Sequence, residues 1–131
     1  MSPIPINQSV NVTTTLALIG TPLVLNGRCR DISMAVQNTG AAALNGFKIQ
    51  RQFLDNGPWV DWLSGTDFAT ATSKCCASGG VSGNLLSTLS AGATAWVDCD
   101  PGAVVAVQFL ASAASATTLS LTGGARLERA E

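Results

Sequence analysis

Apolar and polar residues alternate along several short stretches of this chain, and that period of two restricts the fold more than any other feature. In 9–18 it places Val10, Val12, Thr14 and Leu16 on one side of an extended backbone. In 31–37 it gathers Ile32, Met34 and Val36, with Ser33, Ala35 and Gln37 opposite. In 47–53 it aligns Phe47, Ile49, Arg51 and Phe53, an apolar row interrupted by one charge. Similar runs follow at 93–99, 103–111 and 117–123, and shorter ones fit at 22–25 and 59–63. Successive side chains of a strand point to opposite faces, so each run reads as a strand with one buried side. Gly, Pro, Asn and Asp separate them, which predicts about eight antiparallel strands closed by turns. The expected architecture is all-β, a single antiparallel β-sandwich of Ig-like or jelly-roll-like type, with Ile32, Val36, Ile49, Val105, Val107 and Phe109 in its core. The exception to strand spacing is 85–93, where Leu85, Leu86 and Leu89 suit one helical turn.

Two turn signals compete within 36–53: Asn38-Thr39-Gly40 and Asn45-Gly46. Turning at the second would carry a strand through Asn38, Gly40 and the alanines at 41–43, which have poor strand propensity. The first is therefore assigned as the reversal, because Asn and Gly tolerate positive φ. Asn45-Gly46 becomes a bulge in the returning strand, with Leu44 and Phe47 directed to the core on either side of it.

At 131 residues the chain suits one domain able to bury its own core. Pro3 and Pro5 predict an extended solvated arm over 1–8, ahead of a sandwich domain at 9–131 that ends in the tail 123–131. Neither the basic nor the apolar part of a signal peptide is visible at the start. The Asn7-Gln8-Ser9 and Asn11-Val12-Thr13 sequons are then expected to be fortuitous. No apolar run has the length of a membrane-spanning helix.

Charged residues make up only 11% of the chain, against roughly 25% in an ordinary domain. With a net charge of −1 there is no field to attract nucleic acid or an anionic membrane, and neither is expected as a partner. Ala, Thr, Ser and Gly take the place of the missing charges, and such a surface is cheap to desolvate. Histidine is absent, which removes the commonest general base and a common zinc ligand. The carboxylates Asp55, Asp61, Asp67, Asp98 and Asp100 are the remaining acid–base or calcium candidates. Asp98-Cys99-Asp100-Pro101-Gly102 reads as a turn, since Asp caps turns and Pro-Gly drives them. No enzymatic activity, cofactor or metal is expected.

Cys29, Cys75, Cys76 and Cys99 lack zinc-finger spacing, because adjacent Cys75 and Cys76 have no residues between them. They are read as reduced small hydrophobes in a cytoplasm, or as disulfide partners in an oxidising medium, with no connectivity legible. The Gly/Ser-rich stretch 72–84 that holds Cys75 and Cys76 predicts a long surface loop with assembly contacts.

The passages 32–50 and 95–127 resemble the small β-sandwich proteins of tailed-bacteriophage virions, in particular capsid decoration (cement) proteins. The shared features are a strand ending in Asn-Thr-Gly, small residues, a leucine, a Phe-x-Ile strand, and a closing Ala/Ser/Thr-rich hairpin. The resemblance covers about 10–127. It implies a trimer or other small oligomer bound to the major capsid protein in the virion, after synthesis in a host cytoplasm, without catalysis. Pro3, Pro5, Arg126, Glu128 and Arg129 are the expected assembly contacts, in the two segments least like core. A tail, neck or fibre-base component is the alternative reading. A carbohydrate-binding module using Trp59, Trp62 or Trp96 is a third, although Trp96 in a strand suits core or an interface.

Overall fold

The computed structural model describes residues 4–25, 29–64, 86–102 and 104–127. Eight strands run in order: β1 (Ile4–Val12), β2 (Ala17–Val24), β3 (Cys29–Asn38), β4 (Leu44–Gln52), β5 (Trp59–Ser64), β6 (Thr94–Cys99), β7 (Ala106–Ala113) and β8 (Thr117–Leu127). A 3-10 turn at Leu86–Thr88 precedes β6, where the sequence suggested a helical turn. The strands form two four-stranded antiparallel sheets, sheet A in the order β1-β8-β3-β6 and sheet B in the order β2-β7-β4-β5. The pairs β1·β8, β2·β7, β3·β6 and β4·β5 show a simple rule. The first half of the chain pairs with the second half running backwards, as a long hairpin wrapped around a core. That is the jelly-roll form of the β-sandwich.

The core lies between the sheets and follows the alternation. Ile32, Met34 and Val36 of β3 face Phe47 and Ile49 of β4, with Val107 and Phe109 of β7 and Leu119 and Leu121 of β8 completing it. The Phe47 and Phe109 rings meet at 6.4 Å between centroids. Val105 departs from expectation and is only half-buried. β7 begins one residue later, and the Val105 backbone bridges two strands, donating to Gln52 O and accepting from Leu25 N, each at 2.8 Å. Val104 takes the buried place instead.

The start of the chain also departs from expectation. From Ile4 onward the anticipated arm is the first part of β1, paired with β8 from Ile4 opposite Ala125, and Ile6 is in the core. Pro5 fits because β1 is an edge strand, where a missing N–H costs no ladder bond. β1 then stops at Val12, so Thr14 and Leu16 do not continue its buried face. Thr13 turns the chain there: its hydroxyl donates to Thr15 O at 3.2 Å and accepts from Thr15 N at 3.4 Å. Phe53 likewise lies beyond the end of β4, exposed.

The chain reverses after Asn38, and Asn45 is the extra residue of a bulge in β4, between Leu44 opposite Ala113 and Gly46 opposite Ser112. Both assignments agree with the sequence, but the reason for the glycines differs. Neither Gly40 nor Gly46 adopts positive φ; that conformation falls on Gly20, Gly92, Gly102 and Asn56. Space decides instead. A Cβ on Gly40 would collide with the Thr117 hydroxyl and lie 2.7 Å from Thr118 N, and one on Gly46 would lie 2.7 Å from Ser112 Oγ.

Asn38 is fully buried, at 0% exposure. Its amide donates to Ala42 O at 2.8 Å and Leu89 O at 3.1 Å. Its Oδ1 accepts from Gly40 N at 3.2 Å and from the Thr117 hydroxyl at 2.9 Å. The Asn38 backbone donates to Ala93 O and accepts from Gly92 N. One side chain thus uses both donors and both acceptor positions to satisfy backbone that leaves one sheet for the other. Asn38→Ala is expected to cost about 3 kcal/mol, because several buried groups lose partners together. Asn38→Asp should cost at least as much at neutral pH, since a carboxylate cannot donate to the two carbonyls. Urea denaturation of the two variants checks both values.

Candidate functional surface

Sheet A turns one face to the core and the other outward, and register fixes the composition of the outer face. Across β1, β8, β3 and β6 the outward rows read Pro5–Gly124–Ser33–Asp98, Asn7–Thr122–Ala35–Trp96 and Ser9–Ser120–Gln37–Thr94. Asn11 and Thr118 extend the pattern, and Thr39 joins it beyond the end of β3 through a 2.7 Å hydroxyl–hydroxyl bond to Thr118. Asp98 is the single ionisable residue in these rows, and the Ser33 hydroxyl donates to its Oδ1 at 3.1 Å. The result is a sheet face of short amide and hydroxyl groups. β8 and β3 approach closely beneath it: a Cβ on Gly123 would collide with Ser33 O.

Trp96 stands on this face and is 44% exposed. The alternation of β6 puts Ala95 and Val97 in the core and Trp96 outside, so it is a surface residue. Trp59 is half-buried on the outward side of β5, opposite Gln52. Trp62 is the extra residue where β5 slips against β4, and it packs on the core.

The charge that interrupts the apolar row of β4 occupies the end of the sandwich. Arg51 lies opposite Val107, its Cζ 5.0 Å from the Phe53 ring centroid and 4.9 Å from that of Trp62. Nη1 donates to Pro101 O at 3.1 Å, while Nε is buried without a hydrogen-bond partner. A guanidinium between two rings closes this end of the core with its stem buried and its charge balanced by ring faces. Asp100 Oδ1 accepts from Gly102 N at 2.9 Å, and Gly102 has φ of 76°, so 98–102 forms the turn read from the sequence.

On the outer face of sheet B a chain of polar contacts crosses three strands. Gln108 donates to Gln50 Oε1 at 2.7 Å, and Gln50 donates to Asp61 Oδ1 at 2.7 Å. Lys48 Nζ reaches the other carboxylate oxygen at 3.1 Å. The Gln50 hydrogen bond first, and Lys48 second, hold the Asp61 carboxyl below its ordinary value. A depressed folded-state pKa adds stability above the unfolded value, lost as pH falls through the folded one. Gln50→Ala should therefore raise the Asp61 pKa and narrow the acid range over which the protein loses stability, as read by NMR titration of the carboxyl carbon.

Of the expected assembly residues the structure describes Pro5 and Arg126, which lie toward the same end of the β1·β8 pair, where Pro5 is opposite Gly124 and Ile4 opposite Ala125. Pro5 faces outward on β1, and Arg126 Nε on β8 lies 3.7 Å from Asp31 Oδ1 at an exposed position. Pro3, Glu128 and Arg129 lie outside the described residues, as do Asp67, Cys75, Cys76 and the whole of 72–84. Cys99 is buried on β6; Cys29 begins β3, with its side chain outside the description. Among the described residues no group of His, Cys, Asp or Glu is arranged to hold a metal ion, and no helix is long and apolar enough to cross a membrane. The low-charge outer face of sheet A was not anticipated as a unit. Its strands were visible in the sequence, but which outward rows adjoin depends on pairing across the whole length of the chain. No family model, curated protein or solved structure matches this chain.

Proposed function

We propose that the chain is a structural protein of a virion, a capsid decoration protein that attaches to an assembled major-capsid lattice as a small oligomer. The observation that carries this reading is the outer face of sheet A, with Asp98 its one ionisable residue across three rows of paired side chains. Ser, Thr, Ala and Gly lose little rotamer freedom on contact, and Asp98, which accepts from the Ser33 hydroxyl, is the one charge in these rows that a partner has to accommodate. A face of this kind suits close packing against another protein surface repeated over a shell. The wrapped-hairpin topology is common among capsid and lectin domains, which agrees with the reading as an analogy of fold. A tail or neck component would use the same surface, and its place in the particle distinguishes it.

Trp96 favours a second reading, a carbohydrate-binding module. An exposed indole opposite Ala35, with Thr94 beside it on β6 and Ser33 and Gln37 on the adjoining β3, offers a stacking plane next to hydrogen-bonding groups.

The test is co-sedimentation of the purified full chain with assembled heads. The chain should pellet with them, and the double variant Ser120→Arg and Thr122→Arg should bind at least about tenfold more weakly while keeping its β circular dichroism, a loss of ~1.4 kcal/mol. A full chain that stays in the supernatant, or a double variant that binds as well as the parent, overturns the decoration reading. Copy number in purified particles separates lattice from tail.

A further inference from the structure

Each sheet has two edges, and three of the four are visibly protected against pairing with another chain. β1 carries Pro5. β2 is broken by a register shift between Ile19 and Leu23, with Gly20 at φ of 64° and Pro22 inside it. β5 slips by one residue against β4 and presents Asp61. Proline, bulges and irregular register are the usual means by which edge strands avoid adding a further strand. β6 has none of these. It runs in unbroken register with β3 from Ile32 opposite Cys99 to Gln37 opposite Thr94, contains no proline and a single charge, Asp98, and among the described residues is terminal in sheet A. It is also the strand that exposes Trp96.

We propose that β6 pairs antiparallel with β6 of a second copy about a two-fold axis, joining the two A sheets into one continuous sheet. The sequence of the strand selects that occupant. When pairing is centred on Trp96, each copy sets Thr94 opposite Asp98 and Ala95 opposite Val97, and the two Trp96 rings meet at the axis. The single charge of the strand meets a hydroxyl and never its own copy, so no like charges are opposed. On the inner side, a small residue meets a larger one and the two cores become continuous. A two-fold interface has to be self-complementary in this way, residue i against j and j against i. Backbone bonds along the edge would supply affinity and the paired indoles the anchor. Apart from the paired Trp96 rings, the outer face of sheet A is left free, and this inference does not rest on its binding a capsid.

Sedimentation equilibrium of the full chain, without heads, tests the oligomer directly. A reversible dimer is expected, and Trp96→Lys should weaken it by at least about 30-fold, the effect of losing a central tryptophan anchor. Opposed residues of an antiparallel pair have Cα atoms ~4.5–5.5 Å apart, within disulfide range. Oxidised Trp96→Cys protein should therefore yield a 96–96 linked peptide by mass spectrometry, while Thr94→Cys should give no 94–94 link. The crosslink does not depend on how Trp96→Lys folds. A monomer at every concentration, a trimer, or a dimer in which Trp96→Cys forms no 96–96 link overturns the proposal.

Discussion

A buried asparagine holds the corner on which both sheets depend. Asn38 ends β3 in sheet A at the point where the chain crosses to β4 in sheet B. Its side chain joins the crossing segment at Gly40 and Ala42, the approach to β6 at Leu89, and the first residue of β8, Thr117. Leu89 O also accepts from Leu44 N at 2.9 Å, which carries the same network into sheet B. A wrapped hairpin brings distant parts of the chain together wherever it changes sheet, and backbone groups there have no strand partner. A residue with two donors and two acceptor positions replaces the missing partners without bringing water into the core.

The crowding around that corner accounts for the glycine and threonine chemistry nearby. Gly40 is packed against Thr117 and Thr118 too closely for any side chain, and Thr39 continues the pairing of β3 with β8 through Thr118 O at 2.9 Å. From Asp31 to Asn38 the pairing of β3 with β8 is unbroken, and it places these two strands side by side at the centre of sheet A. The outer rows of Asn, Ser, Thr and Gln therefore adjoin across the sheet in fixed register. Low charge, which in the sequence was only a percentage, becomes in the structure a definite face of sheet A whose three central rows carry one ionisable residue, Asp98.

Much of the fold was legible because its signals are local. Alternation needs a window of a few residues, and it identified most of the strands and of the core, while Asn, Gly, Asp and Pro signals marked the reversal at Asn38, the bulge at Asn45 and the turn at Asp100. Arg51 was visible as a charge in an apolar row, although its two aromatic neighbours were not: Trp62 reaches it from the adjacent strand through a slip in register. What the sequence concealed depended on pairing. Ile4 to Gln8 contain two sequence features of a strand, apolar Ile4 and Ile6 at a period of two, but Pro5 masked them until β8 was known to lie alongside. The glycines at 40 and 46 were rightly placed for the wrong physical reason, since crowding by Thr117 and Ser112 comes from strands far along the chain. Trp96 could not be assigned to a face as interior or surface by its residue type, which favours burial; the parity of Ala95 and Val97 was the usable signal.

The central claim is that the Asn38 corner is part of the global core and not a locally opening turn. Native-state hydrogen exchange measures that directly. The amides of Thr39, Leu44 and Gly92 should exchange only through global unfolding, with the same opening free energy as core amides such as Val36 and Phe109. Exchange of these three through a separate, lower-energy opening, while Val36 and Phe109 stay protected, would contradict it.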